Sequence, residues 1–161
     1  MSTKETLLKQ FDVCFETNGW FVALKNAIAG VTAEQAAWKP NGSDNSIWGL
    51  LSHMNYYNNA YLERFQGRDF EYDVPDNDAT FAQSASEDDW RAEVDRFTTI
   101  MNGWRAVLEA ADDSKFVENA PNGSPWSEVI ADINAHTAHH GGQIVLLRKL
   151  QGSWDSGKGV S

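Results

Sequence analysis

The chain has 161 residues, 42% hydrophobic and 22% charged, with a formal net charge of −10. Those values describe one globular domain able to bury its own core, and they argue against disorder. No cluster of Lys and Arg relieves the acidity, so neither nucleic acid nor an anionic membrane surface is an expected partner.

A single cysteine, Cys14, forbids an internal disulfide. The N-terminal MSTKETLLKQF lacks the basic-then-apolar order of a signal peptide, and no run of 18 apolar residues exists. These features predict a soluble, cytoplasmic protein. Seven tryptophans predict bulky core filling, with a lined cavity as the alternative.

Four long helical patterns are expected, and no strands. In the first, covering about 3–29, Leu7, Phe11, Cys14, Phe15, Phe21 and Val22 follow the i, i+3/i+4 spacing, and Gly30 stands as its C-terminal cap. The second runs from about Ser46 to Phe65, capped by Asn45 or Ser46, with Ile47, Leu50, Leu51, Met54, Tyr61 and Phe65 on one stripe. Residues 67–85 form a long acidic connection without helical period. A length like that is unusual unless the segment crosses the molecule or has a task. A crossover along a helix of roughly 30 Å explains it and makes the second and third helices parallel.

The third helix is the cleanest pattern: Trp90, Val94, Phe97, Met101, Trp104 and Leu108 recur every three or four residues. Ser86 and Asp89 resemble a capping box and place its start near 87. Asn41-Gly42 and Asn122-Gly123 mark loop turns. The fourth helix opens at Ser124-Pro125, with Pro at the first helical position, and runs to about Gln151. The expected organisation is one domain over 1–154 and a flexible tail over 155–161.

Three of the four histidines fall within AHTAHHGGQIVLLRKLQG on that fourth helix. On a helical wheel, His140 lies within about 20° of the buried direction and His136 within about 60°, whereas His139 is more than 100° away. An i, i+4 pair of imidazoles can grip one divalent ion from a single face. His53 lies on the shoulder of the second helix's stripe, facing a cavity between helices, and becomes the third candidate ligand. Water or substrate would complete the sphere, as in an open catalytic site. The competing reading is a set of hydrogen-bonded core histidines, although burying imidazoles without partners costs several kcal/mol. Thr137 stands where an HExxH metalloprotease has glutamate, which argues against a peptidase.

His53 within SIWGLLSHMNYYNNAYLERF, followed by His136-Thr-Ala-His-His140-Gly-Gly142-Gln143, resembles the DinB/YfiT-like superfamily of small four-helix proteins. The resemblance spans nearly the whole chain, including Trp38-Lys-Pro40; Gly141 departs from it where a basic residue is frequent. It implies an all-α four-helix bundle of up-down-down-up connectivity and a divalent metal, nickel or zinc, on His53, His136 and His140. It also implies a homodimer and a small-molecule substrate. Characterised relatives include S-transferases that use low-molecular-weight thiols, and others are described as metal-dependent hydrolases. The expected activity is therefore metal-dependent transfer of such a thiol to an electrophile. Hydrolysis by metal-activated water, or metal and ligand binding without catalysis, are the alternatives.

Around this site, Gln143 and Tyr57 are candidate supporting residues. Asn58 is a candidate pocket residue, and Tyr61 reads as core. Glu63 is a possible carboxylate partner behind a metal ligand, though no spacing singles it out. The carboxylates of 69–78 are expected to be solvated rather than to lid the site. Cys14 reads as an inert core thiol, and Arg148 and Lys149 as cations favouring the negative pole of their own helix.

Overall fold

The computed structural model describes residues 1–159. Among these residues there are six α-helices and no strand: α1 (Thr3–Phe15), α2 (Leu24–Ile28), α3 (Ala33–Ala37), α4 (Ile47–Phe65), α5 (Glu87–Ala110) and α6 (Trp126–Leu150). The chain is thus all-α, as expected. None of these helices is long and apolar enough to cross a membrane.

The first helix stops at Phe15 rather than at 29. Its start is a capping box: Ser2 Oγ accepts from the Glu5 backbone N–H (3.2 Å) and the Glu5 carboxylate accepts from the Ser2 N–H (2.7 Å). Its end is set by Asn18, whose Oδ1 accepts from Ala23 N–H (2.9 Å) and from Asn26 Nδ2 (2.8 Å). That side chain competes with the helical ladder and reverses the chain. Gly30, at φ +72°, does follow a helix, but the helix is α2. The short α3 opens with a second capping box, Thr32 with Gln35. Both additional helices span five residues, too short for a periodic apolar stripe to register.

The three remaining helices keep their expected limits closely. Ser46 Oγ caps α4 by accepting from Gly49 N–H (3.0 Å). At α5 only half of the capping box forms. Ser86 Oγ accepts from Asp89 N–H (3.0 Å), while the Asp89 carboxylate turns outward to accept from Ser84 Oγ (2.5 Å). Pro125 is the N-cap of α6 rather than its first residue, a shift of one position.

α1 packs against α5 and α6, α4 packs against the same two helices, and α2 and α3 cover α6 and the α4–α5 pair respectively. Indoles fill the seams. Trp90 Nε1 donates to Val31 O (2.7 Å) and Trp104 Nε1 to Asn58 O (2.9 Å). Phe65 meets both Trp104 and Trp126, with ring centres 5.5 and 5.0 Å apart. Buried indoles that keep a hydrogen-bond partner carry a large apolar area without an orphaned N–H. Trp20 and Trp38, both exposed, are exceptions. Between α4 and α5, Asn55 Nδ2 donates to Glu93 O (3.1 Å), Asn58 Nδ2 meets Met101 Sδ (3.5 Å), and Leu62 packs on Gly103.

Arg148 departs from its expected role. It is buried, and its guanidinium donates to Ala27 O, Ala29 O and Ser153 O (2.8, 3.0 and 2.8 Å). It therefore satisfies the orphan carbonyls at the end of α2 rather than those of its own helix. The segment between α4 and α5 contains a 3₁₀ turn at Asp78–Thr80 and is tied back onto α4. Tyr56 hydroxyl accepts from Asp73 N–H (3.0 Å), and Arg64 donates to Tyr72 hydroxyl and Phe70 O (2.9 and 3.0 Å). Beyond α6 a 3₁₀ turn covers Ser156–Lys158; residues 160–161 of the expected tail lie outside the described residues.

Candidate metal centre

His53, from the first half of α4, meets His136 and His140 from the middle of α6. Its ring centre lies 5.1 Å from each of theirs, and those two rings are 4.3 Å apart. Nε2 of His136 is 3.1 Å from Nε2 of His53 and 2.9 Å from Nε2 of His140. His53 and His140 are buried, His136 is half-buried, and His139 is exposed on the flank. The three could hold a metal ion, each offering one nitrogen.

Hydrogen bonding on the far side of two rings decides what the near side presents. Thr80 hydroxyl donates to Asn77 O (2.6 Å), so its oxygen is free to accept the Nδ1–H of His53 at 2.7 Å. That leaves a lone pair on His53 Nε2. Gln143 Oε1 accepts the Nδ1–H of His140 at 2.5 Å, which leaves a lone pair on His140 Nε2. Both lone pairs point at His136 Nε2, which carries at most one proton and can satisfy only one of them. One cation at the focus satisfies all three. Donors bound at about 2.1 Å in tetrahedral array lie roughly 3.4 Å apart, close to the 2.9 and 3.1 Å found. A set of neutral imidazoles suits zinc, nickel, copper or iron rather than magnesium or calcium. The residues fit a divalent transition-metal ion.

The protonation states agree. Burial, helped by the neighbouring imidazoles, lowers His53 and His136 from 6.5 to about 4. Burial also lowers His140, against the opposing bond to Gln143. All three are neutral at pH 7, the form that ligates. The sign for stability follows. As the pH falls, the unfolded chain takes up protons first, so the neutral-ring contribution is whole above pH 6.5 and is lost towards pH 4. For His53 that is on the order of 3 kcal/mol in the metal-free protein. The urea midpoint of metal-free protein should therefore fall clearly between pH 7 and pH 4.5; an unchanged midpoint contradicts the burial of neutral rings.

The α4–α5 segment supplies one wall. Phe81 stacks on His53 at 4.2 Å with 14° between the planes. Gly49, one turn before His53, makes room for it: a Cβ there would lie 3.3 Å from Phe81 O. Thr80, Asn77 and Phe81 are site residues that sequence reasoning missed, since nothing in their spacing ties them to a histidine 24 to 28 residues away. The carboxylates of 69–78 do not reach the site. Asp73 serves Tyr56, and Asp76 caps the Ala79 N–H (3.0 Å). Thr80→Val should remove the acceptor that fixes the His53 tautomer and weaken metal binding by about 10–100-fold. Thr80→Ser should keep it. A competition titration against a chromophoric chelator measures both, and equal affinity in Thr80→Val would remove Thr80 from the account.

A cleft of about 360 Å³ opens onto His53 and His136. Tyr57, Tyr61, Val129 and Ile133 give it apolar walls, and Asn58, Asn77, Asn122 and Asp132 give it polar ones. Tyr57 hydroxyl donates to Asn77 Oδ1 (3.2 Å). Tyr61, expected in the core, faces the cleft as well as packing on the core. Gln143 reaches the buried side of His140 rather than the cleft. Glu63 is away from the histidines, paired with Arg68. Cys14 is buried in the core and burial raises its thiol to about 11, so it is inert.

Searching curated proteins gave no match. The DinB superfamily, in contrast, matches over residues 22–144, a span that contains His53, His136 and His140 together with Thr80, Phe81 and Gln143. A match over most of the length, joined to this histidine cluster, settles the relationship: the chain belongs to the DinB superfamily.

Proposed function

We propose that the protein is a divalent-metal-dependent enzyme that joins a small thiol to an electrophilic small molecule, with His53, His136 and His140 as the metal ligands. The carrying observation is the convergence of three imidazole nitrogens beside a cleft that His53 and His136 line. When bound, a divalent cation supplies Lewis acidity there, favouring the ionised form of a thiol or of water brought to it. Thr80 and Gln143 hold two of the rings in the ligating tautomer. Phe81 covers one face of the His53 ring. Tyr57, Tyr61, Val129 and Ile133 shed water from an electrophile, and Asn77 and Asn122 offer amides to orient it.

No Cys, Ser or Lys is among the residues lining this cleft. The protein thus places no thiol, serine hydroxyl or lysine amine of its own to attack, and the transfer reading takes its sulfur nucleophile from a thiol cosubstrate. Hydrolysis is the second reading, and Asp132 favours it as a carboxylate in the cleft that could take a proton from water. Metal-replete protein incubated with a panel of electrophiles, with and without thiol, tests both. Conjugates that form only with added thiol support transfer. Hydrolysis without thiol, lost in Asp132→Asn, replaces it with the second reading.

We also propose that α1, α4, α5 and α6 form a four-helix bundle of up-down-down-up connectivity in which residues 66–86 are the crossover. The support is the way partners climb together along α4 and α5: Asn55 with Glu93, Asn58 with Met101, Leu62 with Gly103.

A further inference from the structure

The cleft over the histidines carries one formal charge, and the charge is negative. Asp132 is exposed and lies one turn before His136 on α6, so its Cβ is about 6 Å from that of the ligand. The rest of the polar lining is uncharged: the amides of Asn58, Asn77 and Asn122 and the hydroxyls of Tyr57 and Tyr61. Among the described residues, neither Lys nor Arg lines it. Arg64 packs over the Tyr61 ring at 5.4 Å, but its guanidinium is committed to Tyr72 and Phe70. The whole chain adds a field of the same sign, with a net charge of −10.

Charge balance sharpens the point. A divalent ion on three neutral imidazoles keeps two positive charges. A thiolate offsets one and Asp132 the other. A further anionic group on the ligand finds no positive partner among the residues lining the cleft, whereas an ammonium group finds the Asp132 carboxylate there. We infer that the cleft selects ligands whose tail is an ammonium or similar cation over those whose tail is a carboxylate, and that Asp132 is the residue that decides it. This specificity rests on the histidine cluster being a metal site, as proposed above, but not on the reaction carried out there.

The test uses cobalt(II)-loaded full-length protein, whose ligand-field absorption reports what enters the site. Three imidazole probes of matched length are titrated: 1-(3-aminopropyl)imidazole, 1-propylimidazole and 3-(imidazol-1-yl)propanoate. They are measured on the wild-type protein and on Asp132→Asn, with far-ultraviolet circular dichroism confirming that the variant keeps its helices. Wild-type protein should prefer the amine probe to the carboxylate probe. Asp132→Asn should weaken the amine probe and strengthen the carboxylate probe, each about tenfold relative to the neutral one, as expected for unit charges some 5 Å apart in a partly screened cleft. A carboxylate probe that binds the wild type as well as the amine probe, or a preference untouched by Asp132→Asn, overturns the inference. A parallel titration with cysteamine, 2-mercaptoethanol and 3-mercaptopropionate separates the two claims. If none gives a sulfur-to-cobalt charge-transfer band while the imidazole order holds, thiol transfer fails and the charge selectivity stands. Protein that takes up no cobalt overturns both.

Discussion

His140→Ala is expected to abolish stoichiometric metal uptake and, with it, turnover, while leaving the metal-free fold close to its original stability. The argument lies in the hydrogen bonds. His140 gives its Nδ1 proton to Gln143 and aims the remaining lone pair at His136. In the absence of a cation that lone pair competes with the one on His53 for a single His136 proton. Removing the ring relieves the competition, and Gln143, half-buried, can turn to water. With a metal the balance reverses, because one of three protein donors is gone. The loss in affinity should exceed the roughly 10–100-fold typical of losing a ligand's outer partner. If the histidines were instead ordinary core residues, the same substitution would cost the metal-free protein the 1–3 kcal/mol of a broken buried bond and would leave metal content unchanged. Urea unfolding of metal-free protein, read beside metal content, separates the two.

Trp104→Ala should produce the largest loss of stability, about 3–5 kcal/mol from the cavity alone. Trp104 is 1% exposed, packs on Phe65 at 5.5 Å and donates its indole N–H to Asn58 O at 2.9 Å. Truncation also removes the second hydrogen bond to that carbonyl, which keeps its bond within α4, in the turn that follows His53 and lines the cleft. Trp104→Phe keeps most of the volume and should cost much less. Thermal unfolding of the three proteins checks the order. A loss below about 1 kcal/mol in Trp104→Ala would show that the α4–α5 seam collapses around the hole.

These two residues mark what was readable and what was not. Trp104 belongs to a stripe that runs from Trp90 to Leu108 along α5, and a pattern sustained over about five turns fixes both helix and face. The histidines on α6 were legible for the same reason: the wheel put His136 and His140 inward and His139 on the flank, where the structure has them. His53 was harder, because the shoulder of a stripe states only that a side chain is near the core. Its partners settle the matter, and Thr80 and Phe81 come from an irregular segment whose placement depends on tertiary packing. That segment announced itself by length alone. Asn18-Gly19 is the same turn signal as the two Asn-Gly pairs that were read as loops, yet the apolar spacing of Phe21 and Val22 masked it and carried the first helix too far. Thr32 with Gln35 was likewise visible as a capping box, in front of a helix too short to show a period. Asp132 stood in plain view at i−4 from His136. Apolar periodicity does not mark it, because a carboxylate on the rim of a stripe is ordinarily solvated.

The account depends on a cation shared by rings from α4 and α6. X-ray absorption at the metal edge, on protein purified without a histidine tag and reconstituted with one equivalent of zinc or nickel, tests this most directly. The account predicts tight uptake of one ion per chain and outer-shell scattering from three imidazoles, reduced to two in His53→Ala. Uptake below one equivalent, or a spectrum that does not change when His53 is removed, would contradict it.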